Sequence, residues 1–225
     1  MTPGSGGVRE DFREILRLVR PGSRVLDIGC GEGALLELLA QDKAVDGRGL
    51  EISPAGVSAC LARGLAVVQG DADRDLADYP AHAFDYAILS QTLQTVREPR
   101  RVLVELLRIA ERAVVSFPNF GHWRVRLALM ATGRMPVTGS LREPWWSTPN
   151  IHLCTLLDFR ALCDDLGVRI EASAALADHR PARPMDPASP IENWRAEQVI
   201  FLLSRPGAER ARAPAPRTGN DLFER

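Results

Sequence analysis

Two acidic residues and three glycines stand at spacings that suit a ligand-binding turn. Asp27 lies in an aliphatic run, and Gly29, Gly31 and Gly33 follow it at alternate positions. Glycines in a turn let a ligand approach the backbone closely, and they adopt backbone angles that other residues resist. Glu51 stands about 20 residues beyond the first glycine, where a carboxylate can accept both hydroxyls of a ribose.

The position of Asp27 indicates the charge of the ligand. Turns that bind dinucleotides carry a Gly-x-Gly-x-x-Gly pattern and hold a pyrophosphate at a helix N-terminus. Here the glycines alternate, and the carboxylate of Asp27 would repel a pyrophosphate. The pattern therefore favours a cationic ligand. The alternative is an ordinary turn between a strand and a helix of another α/β fold.

The elements that must position these residues alternate between strand and helix. Short apolar runs bounded by turn residues predict the strands, and runs with helical periodicity lie between them. This alternation predicts a parallel sheet with helices on both faces. The predicted strands are residues 25–28, 45–52, 65–68, 84–90, 113–117, 168–175 and 198–203.

Polar residues at the ends of two further strands are expected at the same site. Ligands of open parallel sheets lie beyond the carboxyl ends of the strands. Asp71 follows the third strand, and Ser90 and Gln91 end the fourth. The alternatives are a helix cap for Asp71 and turn formation for Ser90 and Gln91. The neighbouring Asp73 is expected to be a solvated charge.

The chain after the fifth strand contains an excursion at residues 120–152. It has about thirty residues, longer than an ordinary connection, so we expect a lid or an interaction region. Asn119, His122 and His152 offer neutral hydrogen bonds or a proton acceptor there, and they are the candidates for catalysis. A structural role is the alternative for His152, and the tryptophans either seal a hydrophobic cluster or anchor a protein interface.

Composition limits the classes of function and location. A net charge of −1 gives no basic surface for nucleic acid, and no apolar run approaches a membrane span, so the cytoplasm is expected. The four cysteines lie far apart, so we expect free thiols and no metal site. We expect one domain over residues 1–205, a rigid exposed loop at 178–190 and a disordered tail at 206–225.

The glycine turn, Asp27 and Glu51 together resemble the S-adenosylmethionine site of class I methyltransferases. The resemblance implies a Rossmann-like fold: a mostly parallel seven-stranded sheet with helices on both faces and an antiparallel last strand between its neighbours. It also implies that Asp71 accepts a hydrogen bond from the adenine amino group and that the backbone N–H of Ala72 reaches a ring nitrogen.

Four longer segments carry a narrower resemblance. Residues 25–33, 89–94, 116–124 and 148–154 are similar to the bacterial methionine biosynthesis family MetW, and the last two segments are specific to it. This resemblance implies a methyltransferase-like protein of methionine synthesis that works with the homoserine O-acyltransferase usually called MetX. It implies no methyl acceptor.

Two hypotheses about function follow. The first is an enzyme that transfers a methyl group to a small molecule. Residues 89–92 read Leu-Ser-Gln-Thr instead of the Asn/Asp-Pro-Pro-Tyr of amino-methylating enzymes, which argues against nucleic-acid or protein-amide substrates. The second, which we favour for the biological role, is a ligand-binding subunit that supports the acyltransferase. Such a subunit would also be placed to report the level of S-adenosylmethionine.

Overall fold

The computed structural model describes residues 9–139, 141, 143–177 and 180–205 of the 225-residue chain. The strands are β1 Arg24–Ile28, β2 Asp46–Glu51, β3 Ala66–Gln69, β4 Phe84–Ser90, β5 Ala110–Pro118, β6 Arg169–Ala177, β7 Arg180–Pro184 and β8 Gln198–Ser204. The helices are α1 Glu10–Leu18, α2 Ala34–Lys43, α3 Pro54–Ala62, α4 Ala72–Asp75, α5 Pro99–Ile109, α6 Trp123–Thr132, α7 Leu156–Asp165 and α8 Pro190–Arg195. The predicted tail at 206–225 lies outside the described residues.

The strands form one sheet in the order β3-β2-β1-β4-β5-β8-β6-β7. β1 to β5 pair in parallel, and β8 lies antiparallel between β5 and β6. The Rossmann-like arrangement with an antiparallel last strand is therefore confirmed. The carboxyl ends of β1 to β5 meet at one edge of the sheet, where the predicted site lies.

The predicted strand count is wrong by one, because the described residues form a sheet of eight strands. Part of the expected loop at 178–190 is β7, which pairs antiparallel with β6, and α8 begins at Pro190. The two prolines of β7, Pro181 and Pro184, obscure the strand in the sequence. Proline is tolerated in an edge strand because one side of that strand needs no N–H donor.

The hydrophobic core covers both faces of the sheet. Leu26 and Ile28 of β1 pack in a cluster with α5 and α7, whereas Val25 packs in a second cluster with α1 and α2. Successive side chains of a strand point to opposite faces. Asp27 therefore shares the face of Val25, and α1 lies on that face.

Helix starts follow the capping residues that the sequence supplies. Ser53 precedes Pro54 and its hydroxyl accepts the N–H of Gly56 at the start of α3. Thr155 and Asp158 form a reciprocal capping box at the start of α7. These caps satisfy N–H groups that the first turn of a helix leaves unpaired. They confirm the predicted caps at Ser53 and Thr155.

Candidate functional site

The glycine turn joins β1 to α2 and adopts a conformation that requires glycine. Gly29, Gly31 and Gly33 have φ angles of +71°, +58° and +81°, all in the left-handed region. A Cβ on Gly33 would also lie 2.4 Å from a side-chain carbon of Leu65 and 2.9 Å from the Sγ of Cys60. The sequence therefore needs glycine here for packing as well as for the turn.

Glu51, at the end of β2, holds this turn in place. Its side chain is buried, and its two carboxylate oxygens accept the backbone N–H groups of Gly31 and Ser53, each at 2.8 Å. A carboxylate offers about four lone-pair positions. Glu51 can therefore fix the turn and still accept hydrogen bonds from ribose hydroxyls, the role that its spacing predicts.

Asp27 is a buried carboxyl group with no side-chain hydrogen bond within the described part of the chain; 2% of its surface is exposed. Burial raises its pKa to about 7; the nearby carboxylates of Asp11 and Glu51 add to the rise, and the guanidinium of Arg9 opposes it. A buried negative charge without a partner is costly. A cation beside Asp27 would relieve this cost.

The sequence did not predict two residues that lie near Asp27. They are Arg9, which directly precedes α1, and Asp11, in the first turn of α1. Asp11 is 3% exposed and accepts the Ser90 hydroxyl at 2.8 Å. Its carboxylate also accepts two hydrogen bonds from the Arg9 guanidinium, at 3.0 Å and 2.6 Å. The available signal was position: Asp11 precedes the buried Ile15 by one helical turn, so it lies on the buried face of α1.

A cleft of about 500 Å³ lies beyond the carboxyl ends of β1 to β4. Of the predicted cofactor residues, Gly29, Glu51, Asp71, Ala72 and Gln91 line it, while Asp27, Gly31, Gly33 and Ser90 are not among its lining residues. Ile52 also lines the cleft and is 63% exposed. The cleft therefore has an apolar wall next to Glu51, as a planar base attached to a ribose requires.

Both alternatives for Asp71 are compatible with the structure. One carboxylate oxygen accepts the N–H of Asp73 at 3.0 Å and so caps α4, and the residue also lines the cleft beside Ala72. The expectation that Asp73 is solvated is wrong. Its carboxylate accepts the backbone N–H groups of Arg97 and Glu98 at 2.9–3.1 Å. It thereby ties α4 to the chain before α5.

Gln91 takes a backbone conformation that is uncommon for a residue with a Cβ. Its φ is +55°, in the left-handed region. The N–H of Gln91 donates to the Ser116 carbonyl at 3.0 Å, and its side-chain amide donates to the Gln198 side chain at 3.3 Å. Strained residues of this kind cluster at functional sites. Gln91 is therefore fixed at the cleft by β5 and β8.

Asn119 follows β5, and both the nitrogen and the oxygen of its side-chain amide form hydrogen bonds to backbone groups of the protein. Its Nδ2 donates to the carbonyls of Asn193 and Ala196, both at 2.8 Å, and its Oδ1 accepts the N–H groups of Gly121 and Leu156, at 2.9 Å and 3.0 Å. These bonds join β5 to α7, α8 and the excursion. The geometry gives Asn119 a structural role.

The two candidate histidines lie away from the lining of the cleft. His122 is 5% exposed and precedes α6, and its pKa is lowered by burial and by Arg124. His152 is exposed, and its Nε2 lies 3.2 Å from the Arg97 carbonyl. The cleft lining includes neither ring. The backbone partner of His152 matches the structural alternative.

Residues 148–154, the end of the excursion and the two residues after it, contribute to the lining of the cleft, and we call this segment the strap. Pro149 and Ile151 line the cleft. On its other side, Ile151 and Leu153 line a second, mostly apolar cavity of about 260 Å³ with Met135 and Trp145. The strap is therefore a wall shared by both spaces.

The cysteines are free thiols, as expected. Cys30 of the glycine turn and Cys60 of α3 lie close together, with their Sγ atoms 3.9 Å apart, and burial raises the pKa of Cys30 strongly. In the part of the chain that the structure describes, no group of three or more metal-binding side chains occurs. Across the same residues, every helix is too short or too polar to cross a bilayer.

Comparison with known proteins identifies the family. A family model described as "Methionine biosynthesis protein MetW" matches residues 9–203. The chain belongs to the MetW family. The bifunctional methionine biosynthesis protein MetXA/MetW of Rhodopirellula baltica is 34% identical over 170 residues, which are 72% of this chain and 27% of that protein. The chain thus matches only a minor part of that relative's length.

Solved structures confirm the class I methyltransferase fold. An S-adenosylmethionine-dependent methyltransferase from Thermotoga maritima has a TM-score of 0.64 at 16% identity, covering 88% of both chains. One from Mesorhizobium loti has a TM-score of 0.61 at 21% identity, covering 85% of this chain and 96% of that one. At these identities the likeness shows the fold alone.

Two matched glycine substitutions separate ligand access from backbone strain. Gly31 in the turn and Gly22 before β1 both have positive φ, and nothing lies within 4 Å of a Cβ placed on either. Gly31→Ala and Gly22→Ala are each expected to destabilise folding by about 1–2 kcal/mol. Only Gly31→Ala, in the turn that the cleft residue Glu51 holds, is expected to weaken binding of S-adenosylmethionine, by at least about 10-fold (~1.4 kcal/mol).

Urea denaturation and calorimetric titration of both variants check this prediction. Equal loss of affinity in the two variants would show that a change in stability, and not a blocked approach, explains the effect.

Proposed function

We propose that this MetW-family chain binds S-adenosylmethionine in the cleft and acts in methionine synthesis by docking onto a homoserine O-acyltransferase. The proposed partnership is supported by the R. baltica relative, whose name joins MetXA and MetW in one bifunctional protein. Fusion holds two parts at a high effective concentration, which is useful where they act together. MetX is the acyltransferase that the resemblance to MetW implies as a partner.

The residues around Asp27 suit the methionine part of S-adenosylmethionine. This part carries an ammonium, a carboxylate and a sulfonium. Asp27 is a buried carboxyl group that lacks a cationic partner in hydrogen-bond contact, and the Arg9 guanidinium beside Asp11 offers donors to a carboxylate. Charged hydrogen bonds of this kind are among the stronger ones in proteins. When bound, the cofactor supplies an electrophilic methyl group.

The residues of the cleft suit the adenosine part. Glu51 would accept the ribose hydroxyls while it holds the glycine turn. Ile52 offers an apolar wall for the base, and Asp71 and Ala72 line the same cleft at the position expected for the adenine edge. The site thus matches the ligand in charge, polarity and order along the sheet edge.

The docking surface we propose is an exposed apolar face on the excursion. It consists of five side chains that are 39–73% exposed: Met135, Trp145, Trp146, Ile151 and Leu153. Four of them line the cavity of about 260 Å³, and Trp146 packs edge-on against Trp145. Large exposed apolar patches mark interaction sites, and tryptophan is enriched among residues that dominate binding energy. A partner that covered this face would bury all five.

The decisive experiment measures homoserine acylation by the cognate acyltransferase alone and with this protein. Wild-type protein with S-adenosylmethionine is expected to raise the rate. Trp146→Ala is expected to remove most of the increase, because Trp146 is 73% exposed and is offered to the partner. The matched control is Leu61→Ala on α3, 59% exposed and outside the apolar face, which is expected to activate like wild type.

Two outcomes decide the proposal. An unchanged rate with wild-type protein would overturn the partnership. Equal activation by wild-type protein and by Gly31→Ala would show that the cleft is dispensable for activation. Gly31→Ala is a sharper probe than Glu51→Ala, because loss of the Glu51 carboxylate would also release the turn that it holds.

The second candidate function is methyl transfer to a small molecule, and the cavity beside the cleft favours it. The two spaces share Ile151, and the cavity also has Phe120, which follows β5, in its wall. An acceptor held there would be positioned next to the cofactor, and positioning alone contributes up to about 7–11 kcal/mol to such reactions. Failure of any cell-extract molecule to receive a labelled methyl group would argue against this function.

A further inference from the structure

The strap separates the cleft from the apolar face and belongs to both. Pro149 and Ile151 line the cleft, and Ile151 and Leu153 are also members of the apolar face. Ile151 is 57% exposed although it lies over the cleft. A planar base in the cleft would therefore cover apolar surface on the strap as well as on Ile52, which lines the same cleft.

Two backbone hydrogen bonds tie the middle of the strap to a loop that also lines the cleft, and a third joins Cys154 at its end to Phe120. The backbone N–H groups of Ile151 and His152 both donate to the carbonyl of Gln94, at 2.9 Å and 3.0 Å. The ring of His152 contacts the carbonyl of Arg97. Arg97 and four other residues of this loop, Gln91, Thr92, Thr95 and Val96, line the cleft. A ligand would thus touch the strap and the loop that anchors it.

The strap has no regular secondary structure, so its position depends on these contacts. Segments with few buried contacts sample several arrangements at little cost. A ligand that covers Pro149 and Ile151 stabilises the arrangement of the strap in which these two side chains contact the ligand. Because Ile151 and Leu153 form part of the apolar face, the same arrangement presets two of the five side chains offered to a partner. A preset surface binds more tightly because less freedom is lost on docking.

We propose that the strap makes docking of the acyltransferase on the apolar face dependent on a nucleoside ligand, S-adenosylmethionine, in the cleft. This inference rests on the proposed function and adds its regulation. S-adenosylmethionine, which is made from methionine, would then report its level to the enzyme at the entry of the pathway. Coupling between two sites is reciprocal: the ligand tightens docking by the same factor by which the partner tightens ligand binding.

The test is a set of four calorimetric titrations with the full chain. The acyltransferase is titrated with and without saturating S-adenosylmethionine, and S-adenosylmethionine is titrated with and without saturating acyltransferase. We expect both affinities to rise by about tenfold, within the usual range of allosteric coupling. The two factors must agree.

Two variants locate the coupling. Ile151→Ala removes the side chain that the cleft and the apolar face share, and it is expected to reduce the coupling factor to less than half. Ile191→Ala on α8 is the matched control, since Ile191 is 65% exposed and lies outside the strap. It is expected to keep the full factor. Retention of the full factor by Ile151→Ala would overturn the role of the strap.

The outcomes separate this inference from the proposed function. If the acyltransferase binds with one affinity in the presence and absence of S-adenosylmethionine, the inference is overturned and the partnership stands. If the acyltransferase binds neither with nor without S-adenosylmethionine, both the proposed partnership and this inference are overturned. If S-adenosylmethionine fails to bind, the ligand part of the proposed function fails, and any docking that remains is independent of the cleft.

Discussion

At about pH 8, Asp27→Asn is expected to stabilise the ligand-free protein and to weaken its binding of S-adenosylmethionine. Burial raises the pKa of Asp27 to about 7, against about 3.9 in an unfolded chain. Between about pH 4 and pH 7 the folded protein therefore holds a proton that the unfolded chain has lost, and stability falls as the pH rises. The neutral amide of Asn avoids this loss.

The size of the effect follows from the two pKa values. Each unit of difference corresponds to ~1.36 kcal/mol, so the stability gap between Asp27→Asn and wild type reaches up to about 4 kcal/mol above about pH 7. The gap closes as the pH falls toward about 4, because the carboxyl is then protonated in both states. Loss of a charged hydrogen bond to the ligand costs about 1.5–3 kcal/mol, or about 10- to 100-fold in affinity.

Chemical denaturation from about pH 4 to pH 8, together with calorimetric titration of S-adenosylmethionine, measures both effects. Asp46→Asn is the control, since it removes a carboxylate whose side chain is 61% exposed and not a buried one. A constant gap between Asp27→Asn and wild type would contradict the burial argument. Unchanged affinity would remove Asp27 from the ligand site.

Replacement of Asn119 is expected to cost stability and not merely activity. The amide makes four hydrogen bonds to backbone groups of the buried interior. At about 1 kcal/mol for each bond lost, Asn119→Ala should destabilise folding by about 4 kcal/mol. A catalytic residue, in contrast, can be removed with little loss of stability.

Asn119→Asp distinguishes the two halves of the amide. It keeps an acceptor for Gly121 and Leu156 but faces the carbonyls of Asn193 and Ala196 with a second oxygen. Two carbonyls beside a carboxylate repel it, so the variant should lose more stability at high pH than at low pH. Urea denaturation at two pH values measures this. An Asn119→Ala protein as stable as wild type would reopen the catalytic role.

Sequence patterns predicted the parts of the fold that depend on local chemistry. The bounds of β4 and the start of α3 follow from an aliphatic run and from a serine before a proline, and both are confirmed. β7 was missed because prolines are poor strand formers, and its place at the sheet edge, which makes them tolerable, is a tertiary fact.

The site was predictable where one residue's role is set by its own turn, and less so where distant segments meet. The roles of the glycines and of Glu51 were predictable. Their φ angles and hydrogen bonds involve only one strand–turn–helix unit and the strand that follows it. Arg9 and Asp11 meet Ser90 from about 80 positions away, and no local pattern reports such a contact. Asn119 presents the same difficulty, because its partners lie on α7 and α8.

The hydrogen bonds of Asn119 also show how the excursion is attached. The N–H groups of Gly121 at its start and Leu156 just past its end both reach the same oxygen, and Phe120 bonds to Cys154 across the gap. The end of β5, where the excursion leaves the sheet, and the start of α7, where it ends, are thus joined at one point. Doubling the length of such a loop costs only about 0.6 kcal/mol. Descendants of this chain can therefore lengthen, trim or exchange the excursion, and so acquire new partners, while the sheet is inherited unchanged.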